Sequence, residues 1–192
     1  VNGTPALAEG RAVFGGCDSA VYALALADGQ VLQKLPTGET MAYIPASVAL
    51  DGVQAFVANY QGKIMRIDVA AGRIDWVVQV EEKQEFCSAA LTDAYVIVGG
   101  GDHVLHCLDR RDGRKAWDFT TRGPIESSPV VCDGKVVFGS GDGRLYVLGL
   151  TNGGLLWSRD LGQTVASSPA VVEGKIIVGC DDGFVYAFGP KE

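Results

Sequence analysis

The three tryptophans of this chain share one register. Each follows a glycine by four residues, in AAGRIDW (70–76), RDGRKAW (111–117) and TNGGLLW (151–157), so that Gly72, Gly113 and Gly153 lead to Trp76, Trp117 and Trp157. The tryptophans lie 41 and then 40 residues apart. A fixed period of this length marks a repeat architecture, in which each unit buries its apolar face against the next. The remainder of the chain aligns on the same frame. The units are TPALAEGRAVFGGCDSAVYALALADGQVLQ (4–33), SVALDGVQAFVANYQGKIMRIDVAAGRIDW (47–76), CSAALTDAYVIVGGGDHVLHCLDRRDGRKAW (87–117), SSPVVCDGKVVFGSGDGRLYVLGLTNGGLLW (127–157) and SSPAVVEGKIIVGCDDGFVYAFGPKE (167–192). In the first unit Gly29 keeps its place and Gln33 stands where the others have tryptophan.

Each unit divides into four short apolar runs. In the fourth they cover 129–132, 135–139, 145–150 and 155–159, with breaks at Asp133-Gly134, Gly141-Asp142-Gly143 and Asn152-Gly153. Runs of this length, rich in β-branched and aromatic residues and bounded by Asp-Gly and Asn-Gly pairs, read as β-hairpins. No stretch carries a helical period. The runs Tyr95-Val-Ile-Val98, Lys135-Val-Val-Phe138 and Lys175-Ile-Ile-Val178 are apolar without alternation, which predicts strands covered on both faces. Four antiparallel strands per unit, covered on both sides by like units, describe an all-β propeller. The blades are expected at 4–35, 47–79, 87–119, 127–160 and 167–188 of one repeat domain spanning 1–192: four full blades and a truncated fifth.

The pattern Y-x-L-x-x-x-x-G-x-x-x-W, preceded by a G-x-D-G-type turn, resembles the tryptophan-docking repeat of PQQ-like propellers. It runs here from Tyr146 and Leu148 through Gly153 to Trp157; Tyr22 and Tyr186 keep the aromatic, while Met65 and His106 replace it. The resemblance covers essentially the whole chain. It implies that each tryptophan packs between neighbouring blades near the start of the outer strand. The WD dipeptide Trp117-Asp118 is not repeated, since valine follows Trp76 and serine follows Trp157; kelch units run longer. The family resembled has two functional branches. One comprises quinoprotein dehydrogenases that hold pyrroloquinoline quinone and calcium. The other comprises non-catalytic binding platforms, such as the propeller lipoprotein of the outer-membrane barrel-assembly machinery, and sensor ectodomains.

The residues favour the second branch, a protein-binding or scaffolding platform that is not an enzyme, with a dehydrogenase fragment and a sensor ectodomain as alternatives. The quinone sandwich of the first branch uses adjacent cysteines and a tryptophan, but Cys17, Cys87, Cys107, Cys132 and Cys180 are all separated, and the tryptophans are committed to the repeat. Asp181-Asp182-Gly183 and Gly141-Asp142-Gly143 look like pieces of a calcium loop but recur where hairpin turns belong. Gly99-Gly100-Gly101-Asp102 has the glycines of a phosphate cradle without the lysine or helix that completes one. His103 and His106, three apart, point to opposite faces if they share a strand. His106 is expected to be a packed core residue and His103 a solvated turn residue. Ser127-Ser128 and Ser167-Ser168 recur before Pro129 and Pro169 and are expected to cap strand starts. No catalytic, cofactor-binding or metal-binding residue is assigned, and no cofactor is expected.

The formal net charge is −7 with no basic cluster, which argues against nucleic acid. No apolar run reaches the roughly 20 residues of a membrane-spanning helix. The odd cysteine count leaves at least one unpaired within the chain. Cys107 and Cys132 lie in apolar runs and read as small core residues.

Function is therefore sought in the loops, which a rigid scaffold displays. The connections from one blade's outer strand to the next blade's inner strand fall at 35–46, 79–87, 120–126 and 162–166, and share a face with the turns joining second and third strands. The first two are longer than the last. The partner-binding residues expected in them are Met41, Tyr43, Glu81, Glu82, Phe86, Arg122 and Glu126. The expected partner is a protein, and resemblance alone implies a periplasmic or otherwise extracytoplasmic setting. Seven or eight blades of about 40 residues need roughly 280–320 residues. The chain is thus expected to be the C-terminal part of a longer propeller, or to be completed by self-association or a second chain.

Overall fold

The computed structural model describes residues 3–39, 42–80 and 86–189, so Met41, Glu81 and Glu82 lie outside the described residues. Regular structure among them is entirely β, in five antiparallel sheets. The first sheet runs in the order β1 (Ala6–Ala8), β2 (Arg11–Gly15), β3 (Ala20–Ala25), β4 (Val31–Pro36), and the second in the order β5 (Ala49–Asp51), β6 (Gln54–Ala58), β7 (Lys63–Asp68), β8 (Arg73–Gln79). The third holds β9 (Ala90–Leu91), β10 (Tyr95–Gly99), β11 (Val104–Asp109) and β12 (Lys115–Thr120); the fourth β13 (Val130–Cys132), β14 (Lys135–Gly139), β15 (Arg144–Gly149) and β16 (Leu155–Asp160). The fifth has three strands, β17 (Ala170–Val172), β18 (Lys175–Gly179) and β19 (Val185–Phe188). These are the propeller blades that the repeat predicts, four full and one short. Two compact units divide them: Val1–Ala89 with Asp109–Arg114, and Ala90–Leu108 with Lys115–Glu192.

Turn chemistry sets each hairpin. Between β13 and β14, Asp133 and Gly134 both have positive φ (53° and 65°), as a two-residue type I′ loop requires, and Cys132 pairs with Lys135 across it. The outer hairpins carry a different device. The β3–β4, β7–β8, β11–β12 and β15–β16 ladders each slip register at the same repeat position, between Ala23 and Leu24, Arg66 and Ile67, Cys107 and Leu108, and Val147 and Leu148. Such a bulge bends the outer strand and strengthens its twist. It falls beside Gln33, Trp76, Trp117 and Trp157, which lie across from Ala23, Arg66, Cys107 and Val147 or one residue off.

Trp76 and Trp117 each reach the next outer hairpin. In the first unit the Trp76 Nε1–H donates to the Arg110 carbonyl at 3.2 Å, and an ideal Cβ on Gly113 would stand 2.9 Å from the indole. In the second unit Trp117 donates to the Leu150 carbonyl at 2.8 Å, and a Cβ on Gly153 would stand 2.6 Å from its ring. The glycine thus serves twice: it takes the left-handed backbone (φ 64° at Gly153) and it leaves room for the indole. Gln33 fills the tryptophan's slot against Gly72.

Inner strands are joined by hydroxyls. Thr4 N–H donates to Ser47 Oγ (2.9 Å), Ser47 N–H to Ser88 Oγ (3.1 Å), and Ser128 N–H to Ser168 Oγ (3.0 Å). Buried Ser127 accepts from the Gly139 N–H at 3.0 Å and donates to the Ser167 carbonyl at 2.8 Å. The paired serines therefore tie neighbouring blades together.

Apolar packing follows the sheets. Val13, Val21, Ile44, Val57, Met65 and Ile67 centre the core of the first unit, while Ile97, Leu105, Ile125, Phe138 and Leu148 centre one core of the second. The non-alternating runs at β10 and β14 are covered on both faces as expected, but β18 is not. In the fifth sheet Val185 is 75 % exposed, whereas its repeat counterpart Leu145 is 0 %. Cys107 is buried as the sequence predicts, and Cys132 departs from that reading: it closes β13 beside the turn and is exposed.

Candidate functional site

Four of the five described turns joining second and third strands are built around an aspartate; that of the second sheet uses Asn59, whose Oδ1 accepts from the Gln61 and Lys63 N–H groups. Asp142 Oδ1 accepts from the Arg144 N–H (3.1 Å), and its Oδ2 accepts from the Tyr146 hydroxyl (2.7 Å) four residues on. Asp182 repeats this with the Phe184 N–H and the Tyr186 hydroxyl, and Asp18 takes the Tyr22 hydroxyl. The local cause is an Asx-type turn that fixes the aspartate, with the strand bringing the fourth residue back over it. Burial, and then the Asp142 carboxylate, pushes the Tyr146 phenol above its ordinary range, whereas the Tyr186 hydroxyl holds Asp182 below the ordinary carboxylate range. The Asp-Gly turns thus spend their carboxylates on their own hairpins. In the third sheet His106 takes the tyrosine's place, with Nε2 2.8 Å from Asp102 Oδ2, and its other nitrogen, Nδ1, lies 3.2 Å from Asp118 Oδ1. His106 is buried as expected, but between two carboxylates and not as an inert core residue. His103 is exposed in the turn at φ 67°, so the two histidines do not share a strand.

The blade-to-blade connections are stitched to these turns by main-chain hydrogen bonds. In the first unit Thr37 N–H donates to Ser19 O, Ile44 N–H to Gly16 O, and Tyr60 N–H to Tyr43 O. In the second, Thr121 N–H donates to His103 O, Ile125 N–H to Gly100 O, Gly141 N–H to Pro124 O, Leu161 N–H to Gly143 O, and Asp181 N–H to Thr164 O. The connections at 35–46, 120–126 and 162–166 are thereby each pinned to the turn of the blade they leave and to that of the blade they enter. Thr37 and Thr121 add hydroxyl bonds to Ser19 O and His103 O, both at 3.0 Å. An apolar wedge sits beneath: a Cβ on Gly15, Gly99 or Gly139 would collide with Ile44, Ile125 or Val165. Sequence reading missed the threonines and the wedge, although Thr37 and Thr121 stand at the same distance from Ser19 and His103 in their blades' turns.

Of the residues expected to meet a partner, Phe86 is buried, and Tyr43 is half-buried and stacks on Tyr60 with centroids 4.6 Å apart. Arg122 and Glu126 are exposed on one connection of the second unit. The Arg122 N–H donates to Asp142 Oδ2 (3.1 Å), and the residue is exposed.

The sequence family described as outer membrane protein assembly factor BamB, a PQQ-type repeat family, matches residues 1–90 and 78–192. The chain belongs to that family. Over 93 residues, 43 % of this chain and 24 % of the relative, it is 30 % identical to the outer membrane protein assembly factor BamB of Yersinia pestis. The crystal structure of BamB from Moraxella catarrhalis superimposes with a TM-score of 0.83 at 22 % identity, covering 96 % of this chain and 56 % of that one. The computationally designed Ika8 protein gives 0.85 at 20 % identity over 97 % of this chain and 57 % of that one, and Ika4 gives 0.73 at 21 % over 84 % and 98 %. These likenesses establish the propeller fold. The chain spans little more than half the length of the BamB structure it matches.

Proposed function

We propose that the chain is a segment of a BamB-type propeller that binds a protein partner, without catalysis, in outer-membrane protein assembly on the periplasmic side. The observation that carries this reading is the stitched face. Connections and turns locked to a rigid scaffold present side chains at little ordering cost, as a binding platform needs. Tyr43 on a connection of the first unit, and Arg122 and Glu126 on one of the second, are the proposed contact residues; Met41 shares the connection of Tyr43, and Glu81 and Glu82 share that of Phe86, which is buried beneath it. The exposed Val185 and Phe184 of the fifth sheet support completion of the propeller by further chain, from the same or a second molecule.

Arg122→Glu combined with Glu126→Lys inverts both charges and leaves the wedge and threonine anchors in place. Titrated against the purified outer-membrane assembly proteins of its own organism, the double variant is expected to bind at least about tenfold more weakly, a change of about 1.4 kcal/mol. Undiminished binding refutes the assigned face. Dye reduction by the chain with pyrroloquinoline quinone, calcium and an alcohol would refute the non-catalytic reading.

A further inference from the structure

His106 is the member of the repeat's aromatic column with two hydrogen-bonding ring nitrogens, and both face carboxylates. Tyr22, Tyr146 and Tyr186 each reach one turn aspartate. His106 reaches Asp102 on its own turn and Asp118 on β12, its direct cross-strand partner. The side chains of His106, Asp102 and Asp118 are 8, 7 and 29 % exposed. A neutral imidazole carries one N–H and can donate to one carboxylate; satisfying two ionised carboxylates takes the imidazolium. Lys115 Nζ lies 3.0 Å from Asp118 Oδ2, and burial keeps the adjacent Cys107 thiol neutral by pushing it up to about 12.

We infer that His106 is a proton-operated brace, which in its imidazolium form ties outer strand β12 to the Gly100–His103 turn and thereby tightens the connection carrying Arg122 and Glu126. The mechanical link is short. β12 ends at Thr120, and Thr121 immediately anchors to His103 O through both its N–H and its hydroxyl. Ile125 returns to Gly100 O at 3.0 Å. Thr121 and Ile125 thus fasten the connection to the two ends of the turn, and Asp118 joins the same strand end, through His106, to Asp102 within that turn. Loss of the proton leaves the ring one N–H for its two carboxylates, so the His106 link between the turn and β12 is broken on one side, although Asp102 keeps the Val104 N–H and Asp118 keeps Lys115 Nζ. Burial is the largest single influence on His106 and pulls its pKa down; the hydrogen bond and charge of Asp102, then those of Asp118, outweigh it and hold the group above its ordinary 6.5. A pKa raised on folding means that the stabilisation is fully present below about 6.5 and is lost as pH rises through the higher folded value. The connection is therefore tightest in mild acid. Only the functional consequence rests on the proposed partner face; the brace itself does not.

The test uses the chain alone. The His106 ring is followed by NMR from pH 5 to 9, alongside amide hydrogen exchange of residues 118–125, corrected for intrinsic rates. The ring is expected to titrate above 6.5, and protection is expected to fall about three- to tenfold across that titration. His106→Tyr installs the residue of three other blades and is expected to flatten the pH dependence at high protection; His106→Gln is expected to flatten it at low protection. A ring titrating at or below 6.5, or parallel pH profiles for the wild type and His106→Gln, overturns the proposal. The ring titration needs no variant, so a substitution that fails to fold does not shield the proposal. If the brace titrates as stated while affinity for the assembly proteins is independent of pH, the brace stands and its link to the partner face falls.

Discussion

Trp117→Ala is expected to cost about 3–5 kcal/mol, the range for deleting a buried aromatic. Trp117 is 8 % exposed, its Nε1–H is committed to the Leu150 carbonyl, and its ring fills the space that Gly153 leaves open. Gly153→Ala attacks the same joint from the other side. It places a Cβ at φ 64° and against the indole, and about 2–4 kcal/mol is expected from left-handed strain and ring displacement together. Urea unfolding of the two single variants and the double variant checks this. In the double variant the clash has no ring to meet, so its destabilisation should fall short of the sum of the singles. Trp157 supplies the internal control: 39 % exposed and edge-on to Phe188 at 5.3 Å, it should lose about 1–2 kcal/mol as alanine. Equal losses at Trp117 and Trp157 would dismiss docking onto the next hairpin as the source of the effect.

The second large effect is expected at Ser127. Ser127→Ala leaves the Gly139 N–H and the Ser167 carbonyl without the partner they share at an interior junction, which costs about 2–4 kcal/mol for two groups. Ser167 holds the equivalent place in the last sheet. Its hydroxyl accepts from the Gly179 N–H and donates to the Gly179 carbonyl, but the site is exposed and water can replace it. Ser167→Ala should therefore cost less than about 1 kcal/mol. Thermal unfolding of both variants makes the comparison; a Ser127→Ala protein as stable as Ser167→Ala would show that the inter-strand bridge contributes nothing.

These contrasts show what could be read beforehand. The glycine-to-tryptophan register was legible because it recurs at one spacing, and the hairpins because Asp-Gly and Asn-Gly pairs demand particular backbone angles. The faces of the blades were legible only where a neighbour covers them: β18 carries the same apolar run as β14, yet its exposure differs because burial depends on what lies alongside. The burial of His106 and the turn at His103 were legible from their places in the repeat. The carboxylates around His106 were not, since periodicity has no means of locating Asp118 across the sheet. The serine pairs were assigned to their own strands because a hydrogen bond to a residue 40 positions away leaves no trace in local spacing. The connections proposed to meet a partner were legible as loops between blades. Their division into displayed and supporting residues, with Arg122 outside and Phe86 inside, needed coordinates.

The indoles bind main-chain carbonyls. Trp76 and Trp117 donate to the carbonyls of an arginine and a leucine, and what each requires beyond that oxygen is a glycine a few residues further along. A joint that reads peptide groups is indifferent to most of the side chains around it. The hairpin tips are consequently free to drift in charge and size while the angle between consecutive sheets stays put, and the outer rim becomes a place where new surface chemistry can be tried without disturbing the frame.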